Sequence, residues 1–266
     1  MSIPGKSFFI VTPCDDGHRL CFWDSVRAFE RAFYSGKLDT PHRFYFHCVQ
    51  GDSLVSRGRN NILHYFRQST DFDAMFAIDS DLDFTVENIL RLADVFAARD
   101  LDFVAGRYAI KEPTLRWCEN RLPGAEPDAD GIMEIAMAPG GVHIISRRAI
   151  DRMIASAPGW GAWRIQYTDD MMQDERWNLY FNGVVIDTEF FPDRPLGRYL
   201  SEDWGISYLA RKLGIRIWCD TKTVMFHEGA IKYPIQARRL TAQEVAAGAI
   251  VQPDGTQTSI APPEKV

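Results

Sequence analysis

No run of apolar residues in this chain approaches the roughly 20 needed to span a bilayer. The first, Phe8 to Val11, is also too short for the core of a signal peptide. Cysteine is sparse: Cys14, Cys21, Cys48, Cys118 and Cys219 are odd in number and form no C-x-x-C pair. That argues for reduced thiols and against a disulfide framework. A surplus of basic residues is lacking too, with 30 Lys and Arg against 36 Asp and Glu and a net charge of −6. Nucleic acid, whose phosphates demand a basic face, is therefore not the expected partner. There is no internal repeat. What is present is 266 residues, 46% hydrophobic, 25% charged and 12% aromatic, enough for one large domain with a sizeable core. A cytoplasmic protein, or one resting on a cytoplasmic surface, is expected.

Periodicity divides the chain into alternating elements. Ser7 to Thr12 predicts a buried strand stopped by Pro13, and Trp23, Val26, Phe29 and Phe33 place a helix over about Arg19 to Tyr34. Strands follow at Arg43 to Val49, Ala74 to Ile78 and Leu101 to Ala105, the last broken by Gly106, with helices at Leu54 to Phe66 and Thr85 to Ala98 between them. This order predicts an α/β fold with a mostly parallel central sheet and helices on both faces. The second half is less regular. Two strands, Ile132 to Met137 and Val142 to Ser146, flank Pro139-Gly140-Gly141, which also suits a hairpin turn. A helix over Arg148 to Ala155, strands at Val184 to Asp187 and Arg216 to Cys219, and a helix from Asp203 to Leu213 complete the domain. Residues 241–266 form a tail, with a weak helical pattern at Thr241 to Ala247 and then polar, Pro-containing sequence expected to be partly flexible.

The richest segment is Met75 to Phe84, an apolar run leading into Asp79, Asp81 and Asp83 at alternate positions. A buried strand ending in carboxylates puts negative charge at the carboxyl edge of the sheet, where open α/β proteins bind ligands. Crowded carboxylates repel unless a cation joins them, and Mg²⁺ sites use one or two carboxylates together with substrate phosphates. Further along come Gly140-Gly141, able to let backbone approach closely, then Ser201-Glu202-Asp203 at a helix start with Ser201 suited to the N-cap, and finally His227.

Taken in order, Asp79-Ser80-Asp81, Gly140-Gly141, Ser201-Glu202-Asp203 and His227 resemble the D-x-D pair, glycine loop, x-E-D motif and C-terminal histidine of GT-A-fold glycosyltransferases. Ser56-Arg57-Gly58-Arg59-Asn60 is similar to the S-R-x-R-N segment of small bacterial and viral members. The likeness runs from about residue 8 to residue 230 and implies a GT-A domain over residues 1–240. It implies a nucleotide-sugar donor, a UDP-sugar by family frequency, an acceptor hydroxyl, and Mn²⁺ or Mg²⁺. By the same likeness Asp81, Asp79 and His227 would make the metal site, Asp81 and His227 as direct ligands and Asp79 through the ribose or a metal-bound water. Asp203, with Glu202 beside it, would be the general base of an inverting transfer. Thr12, Arg57 and Asn60, together with the glycine pair, become candidates for the nucleotide, and Lys111 for either substrate. One departure from the pattern is Cys14-Asp15-Asp16-Gly17-His18, which brings acids to a place where the family carries a Tyr-Gly-Gly type of loop.

Two other readings compete. Asp81-Leu82-Asp83-Phe84-Thr85-Val86 also fits the D-x-D-x-T-V motif of haloacid-dehalogenase-type phosphatases, with Asp81 as nucleophile and Asp83 as acid, although Asp79-Ser80 interrupts the apolar run that the motif requires. A nucleotide-sugar-binding module without turnover is the third. The plainest structural expectation for Arg57 and Arg59 is that of exposed helix charges, and for His227 that of a packed core histidine.

Overall fold

Alternation along the strands decides which layer each side chain enters. The computed structural model describes residues 3–14, 20–50, 54–111, 116–156, 164–166, 175–228, 249–251 and 257–259. In chain order the elements are β1 Ser7–Cys14, α1 Leu20–Tyr34, β2 Arg43–Gln50, α2 Val55–Ser69, β3 Ala74–Ile78, β4 Leu82–Asp83, α3 Val86–Ala98 and β5 Phe103–Arg107. Then come β6 Asn120–Arg121, β7 Ile132–Met137, β8 Val142–Ser146, α4 Arg147–Ser156, β9 Arg164–Gln166, β10 Glu175–Trp177, β11 Gly183–Val185 and β12 Arg198–Leu200. The last are α5 Glu202–Lys212, β13 Ile217–Val224, β14 Phe226–His227, β15 Ala249–Val251 and β16 Gln257–Ser259.

Eight strands form the central sheet in the order β2-β1-β3-β8-β5-β13-β7-β6. β1 lies parallel to β2 and β3, and β13 lies parallel to β5. β8 runs against β3 and β5, and β7 against β13 and β6. Six strands thus share one direction, and the mostly parallel α/β sheet expected from the sequence is present. Phe9, Val11, Met75, Ala77, Phe103 and Ile145 pack with Ile62, Leu63 and Phe66 of α2, Met153 of α4 and Leu209 of α5. Their neighbours Phe8, Ile10, Phe76, Ile78, Val104 and Ile144 pack with Phe29 of α1 and Leu92 of α3 on the opposite face. Truncating a fully buried ring such as Phe76 to Ala would cost about 3–5 kcal/mol. No helix among the described residues is long and apolar enough to cross a membrane, and the four cysteines whose side chains are described are free thiols.

Several local expectations are corrected. β1 runs through Pro13 to Cys14, and β5 runs through Gly106 to Arg107. Gly106 sits between Thr223 and Val142, where a Cβ would lie 3.1–3.2 Å from their side chains. It therefore lets strands crowd together and does not end one. β7 and β8 do not form a hairpin: β5 and β13 separate them, so the Gly140-Gly141 loop crosses over two strands. Ser201 occupies the N-cap position of α5, but its hydroxyl makes no capping bond to the helix backbone; it turns to the Asp203 carboxylate. The pattern at Thr241 to Ala247 and the Asp15 to His18 loop lie outside the described residues.

Candidate functional site

β3 ends at the carboxyl edge of the sheet beside β1, the position at which an open sheet changes the direction of its winding and leaves a crevice. The Asp79 amide donates to the Gly141 carbonyl at 2.8 Å, and the Leu82 amide returns to the Asp79 carbonyl at 3.1 Å. That turn projects Asp79 and Asp81 from the strand end. β4 then pairs with β14, Leu82 opposite His227 and Asp83 opposite Phe226, while the Glu228 amide donates to the Asp81 carbonyl at 2.8 Å. Backbone bonds therefore fix the Asp81–His227 spacing.

Two clusters result. In the first, the Arg59 guanidinium donates to both oxygens of Asp79 at 2.8 and 3.0 Å and to the Gly140 carbonyl at 2.7 Å. Its Nε faces Glu202 at 3.7 Å, an ion pair too long for a hydrogen bond, and the group lies 5.8 Å from the centre of the Tyr180 ring. Arg59 is 4% exposed. Burial opposes its charge, yet Asp79, Glu202 and Asp203 around it hold its pKa above the usual arginine range. Burial pushes the Asp79 carboxyl up despite Arg59, and the nearby charges of Asp81 and Glu202 add to that rise. Gly140 fits because a Cβ there would stand 3.1 Å from Asp203 Cβ and 3.2 Å from an Arg59 nitrogen. Gly141 is tighter, with a Cβ position 2.7 Å from the Tyr108 ring, and its amide donates to the Tyr108 hydroxyl at 2.8 Å. The glycine pair thus serves close approach to the protein's own side chains. Asp203 Oδ1 accepts from the Ser201 hydroxyl and from the Trp204 amide at 2.9 Å.

In the second cluster Asp81 Oδ2 meets Lys111 Nζ at 2.5 Å and His227 Nε2 at 3.2 Å. Burial would raise the Asp81 carboxyl, but His227 and Lys111 beside it outweigh that and hold the group well below the carboxylate range. His227 Nδ1 lies 3.0 Å from the Ala109 carbonyl. A carbonyl only accepts, so Nδ1 carries the hydrogen and Nε2 is the nitrogen turned to Asp81.

Other candidates sit elsewhere. Thr12 donates its hydroxyl to the Ile78 carbonyl at 2.5 Å, tying the ends of β1 and β3 together. The Asn60 amide, 1% exposed, bonds Asn178, the Tyr180 carbonyl and the Tyr180 amide, which uses it to anchor residues 178–180. Arg57 is partly buried two residues before Arg59, hence on a different face of α2. Asp83 accepts from the Ser25 hydroxyl at 2.5 Å and is turned toward α1, away from the role that a phosphatase would give it.

Two crystal structures are among those similar to this chain. A197 from STIV shares 14% identity over 97% of this chain and 95% of its own, with a TM-score of 0.49. GalNAc-T7 with UDP, GalNAc and Mn2+ shares 9% identity over 84% of this chain and 44% of its own, with a TM-score of 0.46. The sequence matches no protein-family model and no curated protein. At these values the likenesses carry no weight for the chemistry, which rests on the residues themselves.

Arg59 is the member that sequence reasoning missed. The signal was present: Arg59, Ile62, Leu63 and Phe66 fall at i, i+3, i+4 and i+7, so the arginine opens the buried stripe of its helix. A charge there must meet an acid. For a metal, the donor set is partial. Among the described residues no three His, Cys, Asp or Glu side chains gather into a metal-binding group. Asp81 Oδ2 and His227 Nε2 are the two donors that could share a divalent cation, at the carboxylate oxygen that Lys111 Nζ also meets. A histidine whose other ring nitrogen donates to a backbone carbonyl is the arrangement usual for metal-ligating imidazoles.

Proposed function

We propose that the chain is a GT-A-type glycosyltransferase that moves a sugar from a nucleotide-sugar, a UDP-sugar by preference, to an acceptor hydroxyl. Residues 1–240 would form the transferase domain, with 241–266 appended. The observation that carries this reading is the convergence on Arg59 of the acidic strand end, the glycine loop and the Glu202–Asp203 helix start, with Asp81 and His227 beside them. Asp81 and His227 would hold Mn²⁺ or Mg²⁺, and the imidazole favours Mn²⁺. Bound there, the cation would offset the charge that develops on the departing diphosphate.

The protein's own groups account for the rest. Asp203 Oδ2 takes the proton of the acceptor hydroxyl, while Ser201 and the Trp204 amide fix Oδ1 and so aim the carboxylate. A base on the face opposite the leaving group gives inversion. Asp79, held by Arg59, faces the donor ribose. Lys111, held beside Asp81, would offer its ammonium to the donor or the acceptor. The test is a thermal-shift titration with UDP and UDP-sugars, with and without Mn²⁺. A Mn²⁺-dependent rise in melting temperature that Asp81→Asn abolishes is expected. No shift with any nucleoside diphosphate in the presence of Mn²⁺ would overturn the assignment.

A further inference from the structure

Two cysteine sulfurs lie in direct contact. The Cys48 thiol donates to the Cys14 sulfur at 3.0 Å, between residues 34 positions apart in the chain. Strand alternation accounts for the meeting. Phe8 and Ile10 of β1 and Phe44 of β2 enter the layer beneath α1, and the same period of two brings Cys14 and Cys48 to that face. Thr12 lies opposite Cys48 and Cys14 opposite Gln50, so the sulfurs approach each other diagonally between neighbouring strands. Other thiols are placed differently. Cys118 donates to the Tyr108 carbonyl at 2.9 Å, and burial pushes its pKa up to about 12. Cys219 is wholly enclosed in the main core.

We propose that Cys14 and Cys48 form a reversible dithiol site, which a hydroperoxide closes to a disulfide that locks β1 to β2 at the carboxyl edge of the sheet. The site is independent of the transferase reading. A disulfide holds its sulfurs at about 2.05 Å, so the pair must close by roughly 1 Å. Cys14 is the last residue of β1, and β2 is the outermost strand, paired to β1 on one side. The shift therefore falls where few backbone bonds oppose it. Cys48 is half-buried and Cys14 is 3% exposed, so Cys48 meets the oxidant first. Its thiolate attacks one peroxide oxygen: the S–O bond forms, the O–O bond breaks, and the other oxygen leaves and takes a proton from solvent. The Cys14 sulfur then attacks the Cys48 sulfur. The S–S bond forms, the S–O bond breaks, and the hydroxyl departs with the Cys14 proton as water. With hydrogen peroxide, two thiols and one oxidant thus become one disulfide and two waters. The bridge lies just beyond Thr12, whose hydroxyl bonds the Ile78 carbonyl, and so steadies the strand ends next to Asp79.

The test is oxidation of the purified protein by one equivalent of hydrogen peroxide, followed by thiol titration in denaturant and peptide mapping without reductant. Two of the chain's five thiols should be lost, and a peptide linking Cys14 to Cys48 should appear and vanish again with dithiothreitol. The melting temperature should rise by roughly 5–10 °C, because the bridge closes a long loop. Cys48→Ser should lose no thiols in pairs and show no rise. Cys14→Ser should stop at a sulfenic acid on Cys48, trapped by dimedone. The mapping needs only the wild-type chain and so decides even where a serine variant fails to fold. Retention of all five thiols, a linkage between other cysteines, or an equal paired loss in Cys48→Ser would overturn the proposal. So would a linked pair that melts where the reduced protein does, because the bridge would then lock nothing.

Discussion

Replacing Arg59 by Met should be among the most damaging single changes in the molecule. The substitution keeps the volume of the buried stem but removes the donors to Asp79 and Gly140. Hydrogen bonds to charged groups are worth about 1.5–3 kcal/mol each, and removing one partner of a buried ion pair costs about 3–5 kcal/mol. The Asp79 side chain is 28% exposed, so water and protonation relieve part of the penalty. A net loss of about 3 kcal/mol follows, or roughly 6–12 °C in melting temperature for a domain of this size. Arg59→Lys keeps the charge but cannot make the planar forked contact, and should recover about half of that loss. Urea denaturation gives the free energies, and the cycle Arg59→Met, Asp79→Asn gives the coupling, expected at about 2 kcal/mol. Arg27, whose side chain is 62% exposed, supplies the control. If Arg59→Met costs no more than Arg27→Met, or the cycle is additive, Arg59 does not hold these elements together.

Three further outcomes are expected. Asp203→Asn should retain UDP binding but slow sugar transfer by about 10²–10⁴, read from product formation at saturating donor; undiminished turnover would exclude it as the base. His143 is fully enclosed, hydrogen-bonded to the Tyr180 hydroxyl at 2.7 Å, and burial with the Arg59 charge lowers its pKa from 6.5 to about 3. The folded state keeps it neutral while the unfolded chain takes up a proton below 6.5, so its contribution is complete above that pH and is lost as pH falls toward 3. Between pH 7.5 and 5 this amounts to about 2 kcal/mol, and His143→Gln should flatten the pH dependence of the urea midpoint by that much; an unchanged slope would refute the assignment. Gly141→Ala forces a methyl against the Tyr108 ring and should cost about 1–3 kcal/mol; a neutral change would show that the crossover loop is free to shift.

Most of the sheet's strands were legible because each is a short apolar run, as each helix was from its stripe at the proper spacing. Ala74–Ile78, Ile132–Met137 and Val142–Ser146 are found at the bounds their composition predicts. The neighbours of those strands were not legible. Glycines between two strands look alike whether the chain turns back or crosses over, and here β13, from the far end of the sequence, lies in the gap. At the site, residue types in order marked Asp79, Asp81, Asp203 and His227, whereas the contact that joins Asp79 to Gly140 belongs to an arginine taken for a surface charge. Thr12 and Asn60 show the converse. Polar side chains beside a motif suggest a ligand, yet their hydrogen bonds are spent inside the fold, and such bonds depend on tertiary neighbours that no local pattern encodes.

The late position of β13 has a consequence for how the protein is made. During synthesis β1, β3, β5 and α1 to α3 emerge early, but Trp218 of β13 pairs with Val104 and with Glu134, so the interior of the sheet stays open until the chain has passed residue 217. Asp81 waits longer still, since its partner His227 lies 146 residues downstream. Long-range closure of this kind is slow. A chain halted on the ribosome before Met225 would already hold the acidic strand end, without the His227 that Asp81 meets in the folded protein. The contact between Asp81 and His227 is therefore among the later ones that the growing polypeptide can make.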